Sequence, residues 1–477
     1  MNKSHIYAIA VFCTIAFSAC DKQLSEPPAN AKVDGTVITD QKSAQVALNG
    51  AYYRFANVNS NNITDWINQN VSGGMLAGTL TYAYGEGYGE QVNNNANTQY
   101  VDKLWSPAYQ LVNATNGVIE GINGVADNIF AGNRKKEIIA EAMFLRAYGN
   151  FKLLMYFSEW NNINSKNGVL LRTSLSTLGT AAKARSSVAE SYDAILSDLD
   201  YGIANGPTAN PNHYMNKWAA SVLKMRVLIC RAQAGDYAKV IAIADDVLQN
   251  SPYVLETNLK DIFYAKGLAS TEVILGTKPQ ANQEGNRVNL SFSYYPGNSS
   301  LYVATKKYKD LLAGDPRGTW MVAATSDPFA QPDTYYFNKF IPLAGVPSQL
   351  TETCYGIRLT EVYLLKAEAI IRSAGDLGAA RELIKKVQEH AGVTNFKPLT
   401  DAASANLLLL ENYKEVLRNF TGEDGIEWMT LIRLPLSVIT QEKPTITLNQ
   451  QLYFPVPMTE FDLNPKFGDQ NTGYSKN

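Results

Sequence analysis

Apolar residues recur at three- and four-residue spacing over the stretches 105–122, 137–157, 188–204, 217–234, 237–250, 357–373, 377–391 and 407–420. That period predicts helices that bury one face. The stretch 137–157 is apolar nearly all round, which predicts a helix buried on most sides. In 357–373, Leu364, Ala367 and Ile371 form one stripe, and Glu368 and Arg372 lie one turn apart as an opposite-charge pair worth about 0.3 kcal/mol.

Two of these helix pairs share a junction. Ala234-Gly235-Asp236-Tyr237 and Ala374-Gly375-Asp376-Leu377 lie 140 residues apart, and each follows one apolar helix and opens the next. Gly suits the position that ends a helix and Asp the cap that starts one. Small residues such as Ala242 and Ala244 allow close helix approach, and Pro252 closes the first pair. This is the pattern of a tetratricopeptide-like hairpin. The segment 188–207 reads as a degenerate third copy, and 105–157 holds a fourth. Between the hairpins run irregular stretches, 57–104, 158–187, 251–356 and 434–477, rich in Gly, Pro, Asn and aromatic residues. Short strand-like pieces such as Val273–Thr277 punctuate them. The expected fold class is therefore mostly α: helical hairpins as scaffold, a large irregular loop-rich part and a few short strands. Long loops on a rigid scaffold are where binding residues concentrate.

Composition narrows this. The chain has 477 residues, 45% of them apolar, enough to bury a large core. Charged residues make up 18%, with 42 basic against 44 acidic, a net charge of −2. Without a basic patch there is no footprint of a nucleic-acid partner, and the composition is not that of a disordered chain. Tyr (27) and Asn (42) are numerous, and Asn favours turns over helices.

Lys3 is followed by an apolar run over 6–17, too short to span a bilayer and of the length of a secretory h-region. Phe17-Ser18-Ala19-Cys20 then resembles a bacterial lipobox, with Phe17 where Leu is usual. On this reading residues 1–19 are a signal peptide, Cys20 becomes the acylated first mature residue, and 20–35 form the lipidated Cys and a polar tether. The rest, 36–477, is one domain with hairpins within 105–157, 188–250 and 357–420. Cys230 sits in an apolar helical run and Cys354 in a polar stretch, and nothing in the sequence argues that they pair.

The catalytic inventory is thin. His213 and His390 are the only His residues after the leader, and His390 ends a helix, where a cation suits the dipole. No zinc-protease, redox, nucleophile-elbow or phosphate-loop motif occurs. Gly85-Glu86-Gly87-Tyr88-Gly89-Glu90 only superficially resembles a phosphate loop, because no Lys-Ser/Thr follows and its two Glu repel phosphate. No calcium-loop pattern is present, and neither metal nor cofactor is expected.

Several segments resemble one family. Glu141-Ala-Met-Phe-Leu-Arg146-Ala-Tyr148, Trp105-Ser-Pro-Ala-Tyr109 with Asn116, and Arg358-Leu-Thr-Glu361-Val-Tyr363-Leu-Leu-Lys-Ala367-Glu368-Ala369 are similar to helices of the SusD/RagB family of outer-membrane nutrient-uptake lipoproteins. Gly375-Asp376, Leu452-Tyr-Phe-Pro455-Val-Pro457 and Asn464-Pro465 up to Gly473-Tyr474 continue the likeness to the end of the chain. One segment departs from it. After the last long helix the family usually has Arg where Glu427 stands here and Asp where Thr430 stands, so both members of an opposite-charge pair have changed. We read this as a structural swap.

The resemblance implies a non-catalytic lipoprotein on the outer face of an outer membrane, anchored through Cys20. It also implies a SusC-like TonB-dependent transporter as partner and an oligosaccharide ligand. A peptide ligand, as in the RagB branch, stays open, as does a lid with little affinity of its own. Sugar rings need flat aromatic faces, and their hydroxyls need amide or carboxylate groups. Two loops supply both: 79–99, with Tyr82, Tyr84, Tyr88, Asn93, Asn94 and Asn95, and 289–336, with Tyr294, Tyr295, Trp320, Tyr335 and Tyr336. The candidate ligand residues are Tyr82, Tyr84, Tyr88, Asn94, Tyr294, Tyr295 and Trp320. Tyr82 and Tyr84 alternate, so an extended segment points both to one side.

Overall fold

The computed structural model describes residues 38–60, 62–85, 96, 99–177, 179–280, 293–294, 301–340, 350 and 352–476. In chain order the elements begin with α1 (Gln41–Phe55), α2 (Ile67–Ala77), β1 (Leu80–Tyr82), α3 (Gln99–Asn123), α4 (Arg134–Phe157), α5 (Val188–Asn205), α6 (Lys217–Arg231) and α7 (Asp236–Asn250). A strand-rich middle follows: β2 (Val273–Thr277), β3 (Tyr302–Thr305), α8 (Lys306–Leu311), α9 (Gly318–Met321), β4 (Val322–Ala324), β5 (Thr334–Phe337) and β6 (Cys354–Arg358). The last part holds α10 (Leu359–Arg372), α11 (Leu377–His390), α12 (Lys397–Asp401), α13 (Ala405–Phe420) and α14 (Ile426–Leu431), with short turns of helix beyond.

Helices α3 to α7 pack each against the next, and α7 packs on α10, which also holds α11 and α13. Local signals set several ends. Asp40 and Ser43 cap α1 reciprocally, Ser187 and Glu190 cap α5, and the Asn216 side chain accepts the N–H groups of Trp218 and Ala219 at the start of α6. The repeated junction differs in detail from expectation. Helix α6 stops at Arg231, and Ala232, not Gly235, takes the left-handed position that ends it, at φ 51°. A forked ion pair, Arg231 Nη2 and Nε to Asp236 at 2.7 and 2.9 Å, spans this turn, and Gly235, at φ 82°, rather than Asp236 caps the next helix. Asp236 itself is fully buried at the start of α7.

Two elements depart from the hydrophobic pattern. Helix α2 lies in a stretch expected to be irregular, and its sequence, INQNVSGGMLA, has poor helix propensity. Tertiary packing makes it helical. Every residue from Asn70 to Ala77 is buried, and Gly73 lies so close to the chain at Gly425 that a Cβ there would sit 2.5 Å from the Gly425 Cα. The segment 357–358, expected to be helical, is instead the end of β6, which pairs antiparallel with β2. The four-stranded sheet has the order β1-β3-β5-β4 and is antiparallel at each pairing.

The core carries buried ion pairs as well as apolar side chains. Arg226 of α6 makes two bonds to Glu361 of α10 (2.6 and 2.7 Å), one to Asp424 (2.8 Å) and one to the Gly356 carbonyl (2.6 Å). Asp424 also pairs with Lys152 of α4 (2.8 Å) and accepts the Tyr148 hydroxyl (2.6 Å). Arg358 bridges Glu272 and Glu423, and Lys339 pairs with Glu423. His390 lies 2.9 Å from Glu272. Cys230 and Cys354 are both buried free thiols.

Glu427 and Thr430 show what the departure from the family pattern does. Arg433 pairs with Glu368 at 2.6 Å, and the Thr430 hydroxyl donates to the Ile426 carbonyl within its own helix. Glu427 is fully buried. Its Oε1 accepts the Gly422 N–H at 3.1 Å, while its Oε2 has no hydrogen-bond partner among the described residues. Burial pushes its pKa from 4.5 up to about 8; the Gly422 N–H and the Lys339 charge oppose this too weakly to cancel it. The swap thus leaves a lone carboxyl held neutral in the core.

The folded state keeps this proton at pH values where the unfolded chain has lost it. The group therefore lowers stability progressively as pH rises from the unfolded value towards 8. Glu427→Gln is expected to match wild type near pH 4.5 and to exceed it by about 3–5 kcal/mol at pH 8 in denaturant titrations. An equal difference at both pH values would contradict a neutral buried carboxyl.

Candidate functional site

Helix α2 ends at Gly78, in the left-handed conformation, and the chain turns directly into β1. The register of β1 on β3 sets Tyr82 opposite Tyr302, and the ladder continues through the Ala83 N–H to the Leu301 carbonyl at 2.8 Å. Cross-strand partners share a face, so the two rings meet, with centroids 6.1 Å apart at 69°. The Tyr84 ring lies edge-on to Tyr82 at 6.0 Å. Tyr84 lies not on the extended segment expected to carry both rings but in the turn after β1, which ends at Tyr82.

A loop from the other side of the sheet completes the arrangement. The Tyr84 hydroxyl donates to Asp327 Oδ2 at 2.7 Å, and Asp327 Oδ1 accepts the Phe329 N–H at 2.9 Å. The Gln331 N–H donates to the Ala83 carbonyl at 2.8 Å. These bonds hold the 325–331 loop against the end of β1 and leave the Phe329 ring 73% exposed. Partial burial, and after it the bond and charge of Asp327, push the Tyr84 phenol up to about 12. The phenol is therefore neutral at physiological pH and fixed in orientation. Three half-buried tyrosines, an exposed phenylalanine and a carboxylate make an edge with apolar rings and a hydrogen-bonding group side by side. Such a surface suits the apolar face and hydroxyls of a sugar ring.

Other candidates fall elsewhere. Tyr294 corrects the expectation of direct contact: it is fully buried, packed on Phe337 at 5.1 Å, Phe340 at 5.8 Å and Tyr302 at 6.4 Å. It backs the Tyr302 ring from inside, because its apolar surroundings outweigh its hydroxyl. Trp320 is half-buried and packs on Phe263 (6.0 Å) and Tyr264 (5.8 Å), an aromatic group that includes neither Tyr82 nor Tyr84. Tyr336 is buried with its hydroxyl at Ser326, and Tyr335 carries the Lys309 ammonium 4.9 Å above its ring. Tyr88, Asn94 and Tyr295 lie outside the described residues, as does Cys20. Trp66 is core, its indole N–H donating to the Phe55 carbonyl at 2.7 Å, and Trp105 is buried in the family-like helix α3.

Tyr302, Asp327 and Phe329 were not singled out from the sequence. Each stands more than 200 residues from Tyr82, and only strand pairing brings them together. The one local signal was Asp327-Pro-Phe329, an apolar ring in a turn sequence. Among the described residues no group of three His, Cys, Asp or Glu is placed to hold a metal ion, and no helix is long and apolar enough to cross a membrane.

Comparison with known proteins adds the following. A family model for SusD-like proteins, described as starch-binding and associating with the outer membrane, matches residues 29–228, and a second, described as the SusD family, matches residues 318–434. A SusD-like protein of Bacteroides ovatus is 24% identical over 283 residues, 57% of this chain and 49% of that protein, so the chain spans about half the length of this relative. A SusD superfamily structure from Bacteroides thetaiotaomicron superposes with a TM-score of 0.76 at 22% identity, covering 91% of this chain and 100% of the other. A structure of a laminarin-binding SusD-like protein superposes with a TM-score of 0.71 at 19% identity, covering 92% and 100%.

Proposed function

We propose a function from one premise: the chain belongs to the SusD/RagB family. It captures oligosaccharides at the Tyr82–Tyr84–Tyr302 edge and passes them to a SusC-like TonB-dependent transporter, acting by binding and not by catalysis. It works from the outer face of the outer membrane, held there by acyl chains on Cys20. The observation that carries the ligand reading is the aromatic edge itself, with Tyr84 locked by Asp327 and Phe329 left in solvent. The laminarin-binding relative of the same fold supports a saccharide as the ligand class. The family description supports the membrane association, and the lipobox-like quartet at Cys20 supports the anchor. Tyr88, Asn94 and Tyr295 belong to the same loops and are proposed as further contacts.

Calorimetry with oligosaccharides of laminarin and starch, alongside a mixed peptide digest, tests the ligand class. Saturable saccharide binding is expected, weakened about tenfold or more in Tyr82→Ala/Tyr84→Ala, since truncating a contact aromatic commonly costs more than about 1 kcal/mol. Unchanged thermal stability of that variant identifies the loss as one of binding. Peptide binding without saccharide binding would move the protein to the RagB branch.

For the anchor, Cys20→Ser is expected to abolish incorporation of labelled palmitate and to shift the protein out of the membrane fraction. Labelling that survives the substitution would refute it.

A further inference from the structure

A second concavity lies away from the aromatic edge and shares no lining residue with it. It is an open cleft of about 560 Å³, within the range of small-ligand sites. The end of α1 supplies Asn49 and Tyr53, the loop before α6 supplies His213 and Tyr214, and the chain leaving β2 supplies Lys278 and Gln280.

Its walls are tied together without a ligand. The Tyr52 hydroxyl donates to Glu141 Oε2 (2.7 Å) and accepts the Met215 N–H (2.8 Å), which holds the 212–215 loop to α1. Asn212 fixes the same loop to β2: its side chain donates to the Leu268 and Val273 carbonyls (2.6 and 3.0 Å), and its carbonyl accepts the Gly276 N–H (2.8 Å). Tyr214 stands edge-on to Tyr52 at 4.8 Å, with the His213 ring 4.3 Å from it. Tyr53 is 40% exposed, its hydroxyl set by Asn62 at 3.0 Å. A cleft built before binding loses little in ordering itself.

Among the described residues that line the cleft, the charge has one sign. Of the described residues that line it none is a carboxylate, and Lys278 is exposed at its rim. Burial, and then the Lys278 charge, lower the pKa of His213, which leaves it a neutral hydrogen-bonding ring. Aromatic rings, amides and a single cation together match a pyranose that carries a carboxylate.

We infer that this cleft is a second saccharide site, specific for an acidic sugar such as a uronic acid, with Tyr53 and Tyr214 against the ring and Lys278 on the carboxylate. The inference rests on the reading of the protein as a saccharide binder and adds a separate site with its own ligand class.

The test is calorimetry on the full-length protein with digalacturonate and with its neutral counterpart, α-1,4-galactobiose. Digalacturonate is expected to bind. Lys278→Gln should weaken it about tenfold, the scale of one charge-assisted bond, and leave galactobiose unaffected. Tyr53→Ala should weaken digalacturonate as well, and Tyr82→Ala/Tyr84→Ala should not. If digalacturonate does not bind, binds Lys278→Gln as tightly as wild type, or is lost with Tyr82 and Tyr84, the inference is overturned. Neutral oligosaccharide binding at the aromatic edge would then still stand. If wild type binds no saccharide of any kind, the proposed function falls and this inference with it.

Discussion

The charge cluster around Arg226 is the constraint on which the rest of the structure depends. One guanidinium on α6 reaches Glu361 on α10, Asp424 in the loop after α13 and the backbone of β6, and Asp424 reaches on to α4. These groups are almost wholly buried, with side-chain exposures of 4% for Arg226, 3% for Glu361 and 0% for Asp424. Taking charges out of water is expensive, so such a cluster is tolerated only when every member is paired. Each partner is therefore bound to one position. The cluster costs desolvation energy and in return allows one arrangement of helices from all three thirds of the chain.

That arrangement is transmitted to the aromatic edge by the loop 421–425. Asp424 sits there at φ 54° with its N–H on Asn70 of α2, and Thr421 meets Thr79 at the α2–β1 turn. Gly425 leaves room for Gly73, and Gly422 packs so closely on Phe337 of β5 and Phe340 that a Cβ would lie 3.0 and 3.1 Å from their rings. The same loop thus presses on α2, which leads into β1 and Tyr82, and on β5, two strands across the sheet. Lys339 and Arg358, both on Glu423, hold it from beneath. Because a rigid scaffold fixes the strands, the rings of Tyr82 and Tyr302 meet, with centroids 6.1 Å apart.

How much of this the sequence showed depends on the kind of interaction. The long helices were legible because apolar residues recur every three or four positions along α3 to α7, α10, α11 and α13, on most sides in α4. Helix α2 was not, because its sequence, INQNVSGGMLA, has poor helix propensity and its helicity comes from packing on Gly425 and its neighbours. The pairing of Arg226 with Asp424 was not legible, since no local pattern reveals a partner 198 positions away. At the site, Tyr82 and Tyr84 were found through their alternation. Tyr302, Asp327 and Phe329 reach them only through sheet pairing, and Tyr294 was misplaced because an aromatic in a polar stretch gives no sign of which way it faces.

The most direct measurement is hydrogen exchange by mass spectrometry on Asp424→Asn, which removes the charge while keeping the shape and a residue type that tolerates positive φ. If the cluster sets the aromatic edge through the 421–425 loop, stability falls by about 3–5 kcal/mol. In that case amides of α2 and β1, from Asn70 to Tyr82, lose protection together with those of α6 and α10. Protection of α2 and β1 that stays at the wild-type level, with less than about 1 kcal/mol lost, would contradict the account.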